Sequence, residues 1–481
     1  MNSRALFGAV IRVGHLALPA AVVLGFLTPV AQQAQTVPAP GDITFTKDIA
    51  PVLQRSCQNC HHPNSVAPMS LVTYEDVRPW AKSIKARVSM GPHGGLMPPF
   101  FVEKDIGIQK FKEDPSLSEE EIAMIGKWVT NGAPRGKPGD MPKPLNFEES
   151  DNWTIGEPDL VVKSKEVTVV AVGPDQWGDV GQIPTGLTED RYVSALEVRE
   201  INDVPKSGPV KTVGGRFVFH HMTYTSMVLT AGGGEANGTT WPIHEIGRNA
   251  DLFPPEAGRL LSAGSVLALT AGHIHSNGRV TKSHLEFAFK FFPRGYKPTY
   301  KKSNIILGNG NDLDVKPNMA KQELHSYATL TEHTKIIAFE PHLHAPGVRM
   351  CLEAIWGLNI QTLSCVGYDH NWVKQYVYDD DAAPLLPKGT IVHLVGFLDT
   401  TAANKNPADA RNWAGGGRRS IANMFIDLGY SVSLTEEQFQ AEMAKRRAKM
   451  KNRNEFDIGC PLCWAPPVQP QQASGAAGTG N

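Results

Sequence analysis

Arg216-Phe217-Val218-Phe219-His220-His221-Met222-Thr223-Tyr224-Thr225-Ser226-Met227-Val228-Leu229 is the stretch that decides the fold. It is dense in β-branched and aromatic residues, which fit a pleated, half-buried strand. Runs of the same kind occupy residues 160–170, 265–275, 284–292, 334–339 and 390–398, separated by Gly, Pro and Asn turns. Such a rhythm, kept up over roughly 280 residues, points to two antiparallel β-sandwiches. We place them at 156–300 and 301–433.

Outward from these strands the composition changes. Residues 434–481 begin with a charged helix, 435–451, and end in a Pro/Gln/Ala/Gly-rich tail that reads as disordered. On the other side, residues 136–155 form a linker that opens Pro/Gly-rich. Residues 43–135 read as a compact, helix-rich, Cys-containing unit. Thr73 with Asp76 caps a helix running through Arg87, and Ser118 with Glu121 opens another that Gly132 stops. Ile122, Ile125, Trp128 and Val129 share one face of that second helix.

The first residues look like an export signal. Arg4 and Arg12 precede an apolar run from Leu16 to Leu27, and small residues near Ala31 and Ala34 offer cleavage sites, so 1–34 is read as a signal peptide. The run is too short and Pro-interrupted for a good bilayer span, and no stable membrane span is expected elsewhere. Export places the protein in the periplasm or outside the cell, where disulfides persist. With 47 Lys+Arg against 48 Asp+Glu, formal net charge is -1, so a nucleic-acid partner is not expected.

Cys57-Gln58-Asn59-Cys60-His61 has the C-x-x-C-H spacing of c-type haem attachment. Two thiols add across the vinyl groups and the next residue presents its imidazole to the iron. Met97, in Gly95-Leu96-Met97-Pro98-Pro99-Phe100, is the expected sixth ligand, with Met69, Met90 and His93 as competitors. Met/His ligation raises the haem potential and leaves the iron no open position. With its Met-Pro-Pro loop and the closing segment 125–134, this unit resembles a small bacterial cytochrome c domain.

The strand runs carry histidine in pairs. His220-His221 ends one, His273-Ile274-His275 ends another, and His342-Leu343-His344 ends a third. Histidines at i and i+2 on a strand share a face. Adjacent histidines point to opposite faces, so His220 and His221 share a metal only if the strand ends or bends there. Imidazole suits Cu, Zn, Fe and Ni, and a thioether favours Cu(I).

On these motifs, residues 156–433 resemble the copper type II, ascorbate-dependent monooxygenases, the family of peptidylglycine alpha-hydroxylating and dopamine beta-monooxygenases. The resemblance implies two jelly-roll sandwiches with one copper each across a solvent-filled cleft. It implies His220, His221 and His273 as ligands of the first copper, with His275 the alternative to His273. It implies His342, His344 and Met424 for the second copper, where O2 is activated. Tyr368-Asp369-His370-Asn371-Trp372 resembles a family strand ending in Asn-Trp. The family's substrate-carboxylate clamp is missing: Glu340 and Leu428 stand where its Arg and Tyr would be. Glu340 is expected to repel a carboxylate, so a peptide ending in glycine is not the expected substrate.

Of the remaining cysteines, Cys351 and Cys365 flank an expected hairpin turn and suit a cross-strand disulfide. Cys460-Pro461-Leu462-Cys463 is followed by Trp464, not His, so it suits a local disulfide rather than a second haem. The whole reads as a multidomain chain: a small all-α cytochrome c domain, then two all-β sandwiches. The expected function is an exported monooxygenase with heme c and two copper ions. It hydroxylates a C–H bond of a small organic substrate with O2, and the haem relays electrons from a periplasmic donor to the coppers. The alternatives are a copper/haem electron-transfer or copper-binding protein without that activity, and a zinc enzyme using the same histidines.

Overall fold

The computed structural model describes residues 43–463 apart from 64, 66, 68, 148–152, 206–215, 231–234, 246, 247, 249, 304, 311, 371, 408, 409, 412–414, 417–421 and 451–456. The expected signal peptide (1–34) and the tail beyond 463 lie outside the described residues. Most of the regular structure among the described residues is antiparallel β-sheet.

The first sandwich is built from two six-stranded sheets. In one, Arg191–Asn202 pairs along Thr281–Phe291. In the other, Phe219–Leu229 is flanked by Val266–Ile274 and Glu235–Thr240. Alternation along these strands sends Val193, Leu196, Phe219, Tyr224, Leu267, Leu285, Phe287 and Phe289 into one core, all nearly inaccessible to solvent.

The second sandwich sets a five-stranded sheet (Gln322–Thr329, Ile391–Leu398, Gly347–Trp356, Asn359–Gly367 and Val102–Gly107) against smaller sheets built on His333–Phe339 and Phe425–Asp427. Phe339, Leu343, Leu352, Leu394 and Phe425 fill the space between. The hairpin turn at Gly357 needs positive φ, which glycine adopts without a Cβ penalty. It puts Cys351 directly opposite Cys365, and the two are disulfide-bonded, as are Cys460 and Cys463.

Residues 43–135 carry the expected helices. Both capping boxes are formed, Thr73 with Asp76 and Ser118 with Glu121. The helix from Thr73 is broken by a 3-10 turn at Arg78–Trp80, where Pro79 has no N–H to donate. This segment differs from an all-α unit in one respect. Val102–Gly107 is a strand that pairs with Asn359–Gly367 of the second sandwich, and Phe100, Ile108 and Phe111 enter that sandwich's core. Their burial outweighs what a free-standing helical unit would gain by leaving them on its surface. The remaining hydrophobics, among them Phe45, Leu53, Ile84, Ile125 and Trp128, form a separate small core. Among the described residues, no helix is long and apolar enough to cross a membrane.

Candidate metal centre

Strand register explains how adjacent histidines reach one site. His273 pairs with His221, but the next residue, Ile274, pairs with Phe219. His220 is therefore the extra residue of a β-bulge, which re-aims its side chain. A second irregularity lies between Thr270 and His273 on the partner strand, where Ala271 takes φ 48°. His220 and His221 thus sit at the start of Phe219–Leu229 rather than at the end of the strand, and His273 lies near the end of Val266–Ile274. Buried Glu200 pins the approach by accepting from the N–H groups of Val218 (3.0 Å) and Phe219 (2.8 Å).

The three rings converge. Centroids are 4.8 Å apart for His220–His273, 5.4 Å for His221–His273 and 5.8 Å for His220–His221. One ring nitrogen from each lies within 4.8 Å of the others. His273 Nε2 lies 2.7 Å from Asp175 Oδ2, and Trp177 stacks on the same ring at 3.8 Å. Nδ1 of His220 and of His273 are buried with no protein partner among the described residues. Burial, reinforced by the neighbouring rings, pushes His220 and His221 down to about 2, so both are neutral at pH 7 and have lone pairs to donate. His275 stands 6.3 Å from both His220 and His273 and bonds to the Ser276 carbonyl through Nδ1.

The second set lies on Pro341–Leu343 and just beyond it. That strand pairs with Phe425–Asp427 in the register Leu343↔Phe425, and His344 and Met424 are the residues just beyond that last pair. His344 Nδ1 donates to the Ala422 carbonyl at 2.9 Å, which directs Nε2 away from the backbone. His342 and His344 have centroids 5.4 Å apart. His342 Nδ1 lies 3.1 Å from Glu245 Oε1, a buried carboxylate of the first sandwich. The structure brings His220, His221 and His273 together and sets the His342 and His344 rings near each other, while the Met424 methyl lies against Gly310.

Three features escaped the sequence reading. Glu340 does not face a substrate: it is buried and bonded by Arg248, which also holds Asp251 at 2.7 and 3.2 Å, while Gln375 donates to it at 3.0 Å. The expected repulsion is thereby replaced by an ion pair joining the two sandwiches, because a buried carboxylate needs a partner. Glu245 and Asp175 had no motif around them. His370 was quoted within a motif but given no role. It is half-buried, its Nδ1 is shut off from solvent with no partner among the described residues, and its ring stands 5.6 Å from His220 and 6.3 Å from His344.

At the expected haem site, Cys57 and Cys60 are free thiols, and burial pushes Cys57 up to about 12. His61 Nδ1 faces the Met69 carbonyl at 3.1 Å, so Nε2 is the nitrogen that would coordinate a haem iron. These three residues fit covalent haem attachment. Met97 lies on an exposed loop, 41% accessible. The segment Gly367–Lys374 touches both regions. A Cβ on Gly367 would overlap the Pro92 carbonyl, and one on Gly94 would stand 3.2 Å from Asp369 Oδ2. Buried Lys374 interacts electrostatically with Cys60. Arg216, four residues before His220, donates to the Ser65 carbonyl at 2.5 Å.

No family model and no curated protein matches this chain. Solved structures similar to it include a variant of oxalate decarboxylase from B. subtilis with one tryptophan replaced by phenylalanine, at 9% identity over 67% of this chain and 97% of that one, with TM-score 0.12. The PBSX exported protein XepA is another, at 8% identity over 51% and 96%, with TM-score 0.08. Likeness at that level carries no argument about this protein.

Proposed function

We propose that this protein is an exported haem- and copper-containing monooxygenase that hydroxylates a C–H bond of a small organic substrate with O2. One observation carries the reading. His220, His221 and His273 of one sandwich bring one ring nitrogen each within 4.8 Å of the others, and His342 and His344 of the other, with Met424 just past their strand pair, lie near enough to act electrostatically on His221. Imidazole with thioether is a donor set that favours copper. When bound, copper supplies O2 activation and a haem on Cys57, Cys60 and His61 supplies one-electron transfer. The balance is C–H + O2 + two electrons + two protons giving C–OH + H2O.

The chain's own residues do the rest. Asp175 and Trp177 orient His273, the Ala422 carbonyl orients His344, and the Glu245 carboxylate lies beside His342 from across the sandwich boundary without a hydrogen bond to its Nδ1. The contacts of Gly367–Lys374 with the haem-binding segment on one side and His220 on the other support a short path between them. Glu340 and Arg248 are committed to each other, so neither is left to clamp a substrate carboxylate, which favours a small uncharged substrate over a peptide C-terminus. The two disulfides fit an oxidising compartment, periplasmic or extracellular.

The test is metal and haem analysis of the exported protein, followed by O2 uptake with the reduced, copper-loaded form over a panel of small apolar and aromatic compounds. Two coppers and one covalent haem per chain, with substrate-dependent O2 uptake, are expected. Zinc in place of copper, or uptake that no compound alters, would overturn the proposal.

A further inference from the structure

Residues 77–102 carry four cations, Arg78, Lys82, Lys85 and Arg87, and no carboxylate, in a chain whose formal net charge is -1. All four residues are exposed. Arg78 opens the 3-10 turn Arg78–Trp80, and the other three lie on the helix Ala81–Val88 that continues it. Lys85 Nζ donates to Thr130 Oγ1 at 3.1 Å, so exposed Lys127, one turn before Thr130 on the helix Glu119–Thr130, adds a fifth charge beside it. The carboxylates that flank this face are held elsewhere. Glu75 pairs with Arg135, Asp76 closes its own capping box, and Glu119 and Glu121 pair with Lys104 and Arg55.

Apolar side chains sit among these charges. Trp80, Met90 and Met97 are 43%, 36% and 41% exposed. Arg87 ties the helix to the Met97 loop: Nη1 donates to the Gly95 carbonyl at 3.1 Å, and the Arg87 carbonyl accepts from the Met97 N–H at 3.4 Å. Exposed Trp and Met within a rim of charge is the composition of a protein interface, and the rim steers the approach. Weak redox encounters need only a small face of this kind. The helix's own apolar side, Ala81, Ile84 and Val88, is already buried in its unit's core, which leaves no amphipathic face to lie in a lipid surface.

We propose that the face formed by Arg78, Lys82, Lys85, Arg87 and Lys127 around Trp80, Met90 and Met97 docks an acidic one-electron redox protein, the donor that feeds the haem. This rests on the haem-relay reading above. The docked donor loses one electron and the ferric haem gains it; no bond forms or breaks and no proton moves.

The experiment is stopped-flow reduction of the oxidised haem in the full chain by two small reduced blue-copper proteins, one acidic and one basic. The acidic donor is expected to be the faster, and its rate to fall severalfold as salt rises past about 0.1 M, where charges more than about 10 Å apart are screened. A net charge of -1 spread over the whole chain would favour the basic donor, so the order of the two rates reports the local face. Lys82→Glu combined with Lys85→Glu is expected to slow the acidic donor about tenfold at low salt with the haem absorption spectrum unchanged. The wild-type comparison alone decides the matter should the variant misfold. Equal rates for the two donors, or a variant as fast as the parent, would overturn the docking face and leave the haem reading standing. Cosedimentation with phosphatidylglycerol vesicles at the same salt, lost in the variant, would overturn it in favour of a lipid surface. A chain without covalent haem would overturn both.

Discussion

Arg248→Met probes the seam between the sandwiches. The Arg248 side chain is 7% exposed, and its partners Asp251 and Glu340 are 7% and 1% exposed. Removing the guanidinium strands two buried carboxylates, with Gln375 still donating to the Glu340 side chain. Breaking a buried pair by deleting one partner costs about 3–5 kcal/mol. At roughly 2–4 °C per kcal/mol for a domain of this size, the apparent Tm should fall by about 6–20 °C. Glu340→Gln leaves Arg248 paired with Asp251, so it should cost only about 1–3 kcal/mol. The double variant should lose less than the sum, since the two residues are bonded to each other. There is also a pH signature. Burial raises Glu340 from its ordinary 4.5 to about 7 against the pull of Arg248. A carboxyl raised on folding favours the fold below 4.5, and that contribution is lost as pH rises toward 7. Without Arg248 the carboxyl rises further, so the deficit should be smallest near pH 5 and widen toward pH 8. The assay is thermal unfolding of metal-free protein at several pH values. Arg248→Met melting within about 2 °C of the parent at pH 8 would refute the reasoning.

Other expectations concern the metal sets and the staples. His221→Ala should lower bound copper from two ions per chain to one, by metal analysis after dialysis, and parent-like copper content would remove His221 from the ligand set. Asp175→Asn should weaken copper binding about 10–100-fold in a chelator competition, because it loosens the His273 ring. Metal-free protein should lose stability as pH falls below 6.5. His220 and His221 are held down to about 2 by burial, so the unfolded chain takes up their protons first. The slope should be about 1.4 kcal/mol per pH unit for each ring, and His221→Gln should flatten it. The Cys351–Cys365 bridge spans 14 residues, so replacing both cysteines by Ala should cost about 3 kcal/mol in unfolding, and an unchanged Tm would count against that closure model.

The sequence by itself determined the elements and which histidines come in pairs. Strand runs such as 216–229 and 265–275 carry their own β-propensity and turn signals, and capping at Thr73 and Ser118 is a local matter of side chain to backbone. The His-His and His-x-His pairs were legible because two of the three share a strand face by simple alternation. Three things needed the tertiary structure. The bulge that brings His220 beside His221 arises from register with a strand some fifty residues on, which no local window contains. The strand Val102–Gly107 left its helical neighbours because Phe100, Ile108 and Phe111 found a larger apolar core to enter. Glu340, Glu245 and His370 draw their roles from groups across the sandwich boundary, and burial forces such partnerships only once the surfaces meet.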